Sequence, residues 1–150
     1  MSLYAIALFA HVVGAVLVFV LLTVEGVGLR SGAAAASVSR VLGPISALAI
    51  LVPGFYMAAQ TGWHGWTAVG LASYAVIAGL GAYTGINVMR GKMSTGAAAI
   101  SWLVRIGIAL GVLFDMTVKP DLVGSIVAVV IAVAVAMAAA VPTVRLVRAG

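Results

Sequence analysis

The sequence predicts an all-α membrane protein, a transmembrane bundle of five helices. Hydrophobic residues form 65% of the 150-residue chain, charged residues form only 7%, and the mean hydropathy is +1.29. A soluble domain carries about 25% charged residues, so this chain has too few to cover a globular surface. The composition therefore excludes a cytosolic enzyme, a disordered tail and a nucleic-acid-binding module. It makes the lipid bilayer the expected surroundings of a single integral membrane domain.

Five apolar runs are each long enough to cross a hydrocarbon core of about 30 Å, which takes about 20 helical residues. They cover residues 3–29, 41–60, 66–89, 97–118 and 121–141. The connections are short, as expected where backbone in lipid must be helical. Lys119-Pro120-Asp121 separates the last two runs. Because proline interrupts a helix, this junction argues against a four-span alternative in which those runs are fused.

The first apolar run has a second interpretation, a cleaved signal peptide, because the Ala-rich stretch at 33–36 resembles a cleavage site. Two features favour a retained span. No Lys or Arg precedes the run, and the run exceeds the roughly 7–15 residues of a signal-peptide core. We therefore expect it to remain as the first transmembrane helix.

The basic residues fall mainly on one side of the predicted bundle. Those on that side are Arg30, Arg40, Arg90, Lys92, Arg145 and Arg148. The opposite side carries only Lys119, and Arg105 lies within the fourth span. Because an excess of Lys and Arg marks cytoplasmic loops, the N-terminus is predicted outside and the C-terminus in the cytoplasm. The net charge of +5 is thus a topology signal and indicates no nucleic-acid partner.

Small residues at four-residue spacing predict close helix packing, which is how helices associate in lipid. Two GxxxG pairs and one longer ladder show this spacing: Gly81 with Gly85, Gly107 with Gly111, and Gly124, Ala128, Ala132, Ala136 and Ala140. Two interpretations remain open. The seams pack helices within one protomer, or one of them, most plausibly the ladder in the fifth span, forms a homo-oligomer.

Several polar residues inside the spans are candidates for an intramembrane polar site: His11, Glu25, Asn87, Arg105 and Asp115. A charge at the centre of a membrane helix costs about 2.5–3.5 kcal/mol on insertion scales, so its presence requires a reason. In the predicted orientation His11 and Asp115 share the outer half, whereas Glu25 and Arg105 share the inner half. Either pair could form a contact that fixes helix register, or a functional site.

A histidine in an apolar span is also a candidate proton carrier, metal ligand or haem ligand. The residues considered for a haem or copper site are His11, His64, Met57 and Met116. His64 is the other histidine available to a bis-histidine haem, and methionine sulfur suits copper. The alternatives are that His64 is a solvated loop residue and that the methionines fill the core.

Motifs of common catalytic sites are absent from the sequence. It contains no GxxxxGK[ST] phosphate loop, no HExxH zinc motif and no GxSxG nucleophile motif. It has no cysteine, which excludes a thiol nucleophile and a Cys-ligated metal. A non-enzymatic protein is therefore favoured over an enzyme.

Two stretches resemble a family of uncharacterised bacterial integral membrane proteins, which is distantly similar to the copper-resistance D-like membrane proteins. His11-Val-Val-Gly14-Ala15 resembles the HxxGA opening of the family's first helix. Leu113-Phe-Asp115-Met-Thr-Val-Lys119-Pro120 resembles its aspartate-bearing helix, which ends in a Lys-Pro turn. The resemblance implies a small multi-pass protein of the bacterial inner membrane, with His11 and Asp115 as its polar elements. The additional histidines and methionine clusters of a metal-handling member are missing, which argues against copper transport.

The leading hypothesis is a small non-enzymatic membrane protein whose polar site, built from His11 and Asp115, binds a proton, a metal or haem. One alternative is a structural or accessory subunit of a larger membrane complex, in which the polar residues only connect helices. Another is a small homo-oligomeric channel or transporter. A chain this short holds no pair of inverted repeats, so a transporter would have to assemble as an oligomer.

Overall fold

A computed structural model describes residues 2–31 and 35–148, with side chains at 2–29 and 38–140. The described chain forms five α-helices and, within these ranges, no strand: α1 Leu3–Ser31, α2 Ala35–Thr61, α3 Gly65–Met89, α4 Thr95–Val118 and α5 Leu122–Arg148. Each contains a stretch long and apolar enough to cross a membrane. The predicted all-α bundle of five spans is confirmed, and the chain is a multi-pass membrane protein.

Some predictions fall on parts of the chain outside this description. The side chains of Arg30, Arg145 and Arg148 lie outside the described residues, and so does part of the Ala-rich stretch at 33–36. Its last two residues begin α2, which starts six residues before the predicted span. α5 likewise continues past the predicted end at 141. The extension of α2 contains no proline or glycine, and α5 continues through Pro142.

Side-chain caps and a left-handed residue fix the ends of α4 and the start of α5. Ser94 caps α4 by accepting a hydrogen bond from the Ala97 amide at 3.2 Å. Lys119 ends α4 with φ +53°, and Pro120 follows it. Asp121 then accepts a hydrogen bond from the Gly124 amide at 2.8 Å at the start of α5. The four-span alternative is therefore wrong.

The bundle has a basic end and an opposite end. At the basic end, defined by Arg40, Arg90 and Lys92, the Arg40 guanidinium donates to the Met89 sulfur at 3.0 Å and connects the start of α2 to the end of α3. At the opposite end, the Lys119 ammonium lies 5.3 Å from the centre of the Trp66 ring. The basic residues that the sequence assigns to one side thus lie at one end of the described bundle, and Lys119 lies at the other.

Glycines bring α4 and α5 into backbone contact. A Cβ atom at Gly107 would lie 2.6 Å from Val133 Cα, and one at Gly111 would lie 2.6 Å from Val129 Cα. The predicted packing seam at Gly107 and Gly111 is confirmed, and it lies within one chain. Since helices in lipid are held by such close approach, α4 and α5 form one unit of the bundle.

The small-residue ladder of α5 lies beside this seam, and Ala132 is the ladder residue found next to Gly107 and Gly111. Ala132 contacts the Gly107 and Gly111 positions, whereas Gly124 contacts Pro120 and Asp121 of the preceding turn. Together with Gly124 and Ala132, the ladder residues Ala128 and Ala136 line an apolar groove between α4 and α5. Four-residue steps drift around a helix of 3.6 residues per turn, so one ladder does not stay in one contact.

Candidate functional site

A buried ion pair joins α1 to α4. Arg105 Nη1 and Glu25 Oε2 are 2.7 Å apart, and the two side chains are 4% and 19% exposed. The contact that their shared depth allows therefore forms. It lacks the alignment of a hydrogen bond, and Arg105 Nε has no hydrogen-bond partner among the described residues. The guanidinium thus keeps a buried N–H donor that Glu25 does not satisfy.

Two contacts that the sequence analysis missed position this pair. Trp102, one turn before Arg105 on α4, donates its indole N–H to the Leu22 carbonyl at 2.6 Å. Its ring packs against α1 at Gly26, where a Cβ would collide with it. Gly26 follows Glu25 directly in the sequence. A glycine next to an acidic residue within a membrane span was the signal that could have indicated this close contact. Trp102 therefore holds α4 against α1 beside the charges.

Gly81 of α3 makes room for the guanidinium. A Cβ there would lie 3.0 Å from Arg105 Nη1, whereas a Cβ at Gly85 would meet no described atom within 4 Å. The prediction that Gly81 and Gly85 form a helix-packing seam is therefore wrong, because these positions face an arginine side chain and open space. The glycine at 81 accommodates a charge and does not bring two backbones together.

This difference gives a matched pair of variants, Gly81→Ala and Gly85→Ala. Both gain similar helix propensity, up to about 1 kcal/mol per Gly→Ala change. Only Gly81→Ala crowds the guanidinium, and overpacking typically costs about 1–3 kcal/mol. We expect Gly81→Ala to be less stable than Gly85→Ala by about 1 kcal/mol or more in unfolding of the detergent-solubilised protein. Equal stabilities would contradict the contact between Gly81 and Arg105.

A cavity of about 670 Å³ lies beside the ion pair, among α1, α2, α3 and α4. Its walls are mainly apolar and include Val18, Leu22, Ile77, Ala78 and Ala82, and its charged lining residues are Glu25, Arg40 and Arg105. Along α3 it extends from Tyr74 to Met89, about 22 Å at 1.5 Å per residue. Pro44, Ala78 and Ala82 are exposed lining residues, so the cavity opens at the bundle surface between α2 and α3. Arg40 and Met89 are exposed lining residues at the basic end, so the cavity also opens there.

His11 connects α1 to α2. Its Nδ1–H donates to the Ile50 carbonyl at 2.9 Å, three residues before Pro53 in α2. A Cβ at Gly54 would lie 3.2 Å from His11 Cε1, and one at Gly14 would lie 2.8 Å from the α2 backbone. The HxxGA element is thus an α1–α2 packing element in which His11 supplies the hydrogen bond.

Asp115 lies on the face of α4 that contacts α5. The contacts of Gly107 with Val133 and of Gly111 with Val129 set a register that, one turn further, places Asp115 opposite Ser125. Both side chains are 0% exposed, and the Asp115 carboxyl group lies against the Ser125 hydroxyl. The possible His11–Asp115 contact therefore does not form, because His11 is bonded to α2 and Asp115 faces α5.

The other candidate polar and metal-binding residues lie in separate surroundings. Asn87 donates to the Tyr83 carbonyl of its own helix at 2.8 Å. His64 lies in the exposed loop before α3, 3.2 Å from the Thr61 carbonyl, and stacks on Trp66. Met116 packs against Gly70, whereas Met57 is half-buried on α2. Within residues 2–31 and 35–148, no group of three or more His, Asp or Glu is placed to hold a metal ion.

The hydrogen bond of His11 predicts the phenotype of His11→Ala. Loss of one hydrogen bond should destabilise the protein by about 1 kcal/mol. This bond leaves Nε2 free, as in histidines that bind metals. Because no group of three or more His, Asp or Glu among the described residues could hold a metal beside it, we expect the same metal content and the same absorption spectrum in the wild type and the variant. A haem band or stoichiometric copper that is present in the wild type and lost in His11→Ala would instead identify His11 as a ligand.

Comparison of the chain with protein-family models, with curated proteins and with solved structures finds no match. The resemblance suggested by the HxxGA element and the Lys-Pro turn therefore stays a prediction. The fold and the site define a class, a multi-pass helical membrane protein with a cavity beside a buried ion pair.

Proposed function

We propose that this chain is a non-enzymatic membrane protein that binds a ligand in the cavity beside Glu25 and Arg105. One observation carries the proposal: a buried arginine with an unsatisfied N–H lines a cavity of about 670 Å³. Ionisable groups inside a membrane are costly and commonly mark substrate or ion pathways. A buried ion pair is weak support for stability alone, and cavities of about 300–1,000 Å³ commonly hold small ligands. The proposed polar site is thus centred on Glu25 and Arg105, and not on His11 and Asp115.

We also propose an orientation of the bundle in the membrane and a cellular location. The described basic residues Arg40, Arg90 and Lys92 lie at one end of the bundle, and an excess of such residues is typical of the cytoplasmic side. The basic end then faces the cytoplasm, the N-terminus lies outside, and the cavity is reached from the inner half of the bilayer. The HxxGA resemblance supports the inner membrane of a bacterium as the location.

The absence of cysteine from the sequence allows a clean accessibility test with single-cysteine variants. Ala78 lines the cavity, whereas Gly79, next to it and at nearly the same depth, is exposed and lies outside the lining. A thiol reacts as its thiolate, which forms in water and not in hydrocarbon. In phosphatidylcholine vesicles we expect N-ethylmaleimide to label Ala78→Cys about tenfold faster than Gly79→Cys. Equal rates would contradict a solvent-accessible cavity.

The two other functional hypotheses, an accessory subunit and a homo-oligomeric channel, remain predictions. Both depend on the small-residue ladder of α5 as a contact surface. Gly124, Ala128, Ala132 and Ala136 do line a groove between α4 and α5. The close approach of α5 to another helix, however, occurs within the chain, at Gly107 and Gly111. The ion-pair cavity therefore supports the binding function more directly.

A further inference from the structure

We infer that the ligand of this cavity is an amphiphilic anion, a carboxylate-type head group on a single alkyl chain, whose head group binds at Arg105 and enters past Arg40. This inference rests on the proposed function and names the class of ligand. It combines two properties of the cavity, its positive charge and its long apolar walls.

The charge of the lining favours an anion. Arg40 and Arg105 face the cavity with one acidic residue, Glu25, so the described lining carries a net positive charge. Arg105 keeps its Nε–H free of any described partner. Arg40 donates to the sulfur of Met89, which is a weak acceptor that an anionic oxygen can replace. Guanidinium groups bind carboxylates and phosphates with two N–H groups, and these arginines have donors to offer.

The walls favour an alkyl chain over a small free anion. Apart from the charged residues, most of the lining is aliphatic, and the cavity runs about 22 Å along α3. A small anion at Arg105 would leave this apolar surface in contact with the water that enters from the basic end. An alkyl chain that covers the surface gains about 25 cal/mol for each Å² removed from water. The opening between α2 and α3 faces the bilayer, so an alkyl chain can enter sideways from lipid.

Labelling of Ala78→Cys also measures occupancy of the cavity. The probes are oleate, oleyl alcohol, which has the same chain without the charge, and acetate, which has the charge without the chain. In phosphatidylcholine vesicles, oleate at ten times its Kd should slow labelling about tenfold, because about one site in eleven stays free. We expect less than about a twofold effect from oleyl alcohol or acetate. The labelling rate of Gly79→Cys with and without oleate controls for changes in the bilayer.

The role of the arginines is tested in the same cysteine background. Glu25→Gln with Arg105→Gln removes the charges of the pair without leaving one of them unpaired, and it should abolish protection by oleate. Arg40→Gln should weaken protection, because Arg40 lines the cavity. Arg90→Gln removes an equal charge at the basic end, outside the lining, and should leave protection unchanged.

The outcomes separate this inference from the proposed function. Equal protection by oleate and oleyl alcohol, or full protection in the Glu25→Gln, Arg105→Gln variant, would overturn the inference and leave a purely apolar site. Protection by acetate would overturn it in favour of a soluble anion. If no probe protects while Ala78→Cys still labels faster than Gly79→Cys, the inference fails and the proposed function stands. If the two cysteines label equally without any probe, the proposed function itself fails.

Discussion

Arg105→Gln should be less stable than the variant in which Arg105 and Glu25 are both replaced by glutamine. The single substitution leaves the Glu25 carboxylate, which is 19% exposed, without its cation. Removing one partner of a buried ion pair typically costs about 3–5 kcal/mol, largely because the remaining charge is uncompensated. Access to water through the cavity places the expected loss near the lower end of that range. The double variant carries no charge at the pair and should recover most of the loss.

Denaturant unfolding in detergent micelles measures this difference, with Glu25→Gln completing the double-mutant cycle. Arg90→Gln is the matched control, because Arg90 is exposed and a surface substitution should change stability by less than about 0.5 kcal/mol. If Arg105→Gln is as stable as the double variant, Glu25 and Arg105 do not interact in the folded protein, and the site as described is wrong.

Gly107→Ala and Gly111→Ala should be the most destabilising of the glycine substitutions considered. At both positions the new Cβ would lie 2.6 Å from a Cα atom of α5, and a backbone atom cannot rotate away as the end of a side chain can. The helices must therefore separate, and overpacking of this kind costs about 1–3 kcal/mol or more at each site. Since both contacts hold the same pair of helices, the double variant should lose α4–α5 packing altogether.

Gly79→Ala is the control for this prediction, because a Cβ there meets no described atom within 4 Å. It should be as stable as the wild type or slightly more stable, through the better helix propensity of alanine. Thermal unfolding of the purified protein compares the three variants directly. A Gly107→Ala protein as stable as Gly79→Ala would contradict the backbone contact between α4 and α5.

These glycines show what the sequence could and could not predict. The same GxxxG spacing occurs in α3 and α4, and the sequence assigns both the same role. In the structure Gly107 and Gly111 contact the α5 backbone, whereas Gly81 accommodates a guanidinium and Gly85 faces open space. The spacing indicates that small residues share a helix face, and it contains no information about what lies against that face. Only the tertiary arrangement distinguishes the two cases.

The polar pairs show the same limit in another form. Counting residues from the helix ends gives depth in the membrane, and depth allowed both the Glu25–Arg105 contact and the His11–Asp115 contact. It could not distinguish the contact that forms from the one that does not, because depth does not determine the direction in which a helix face points. His11 turns toward α2, where the Ile50 carbonyl accepts its N–H, and Asp115 turns toward α5. The number, type and limits of the spans depend on local hydropathy, and the sequence predicted those well.

Labelling of Ala78→Cys from each side of a sealed membrane tests most directly whether a cavity opens from the basic end. Vesicles of known orientation are treated with a membrane-impermeant maleimide, with Lys92→Cys and Lys119→Cys as references for the basic end and the opposite end. We expect Ala78→Cys to be labelled from the side that labels Lys92→Cys, because the cavity extends along α3 to Met89 at that end. Labelling from the side that labels Lys119→Cys, or from neither side, would contradict an inward-opening binding cavity.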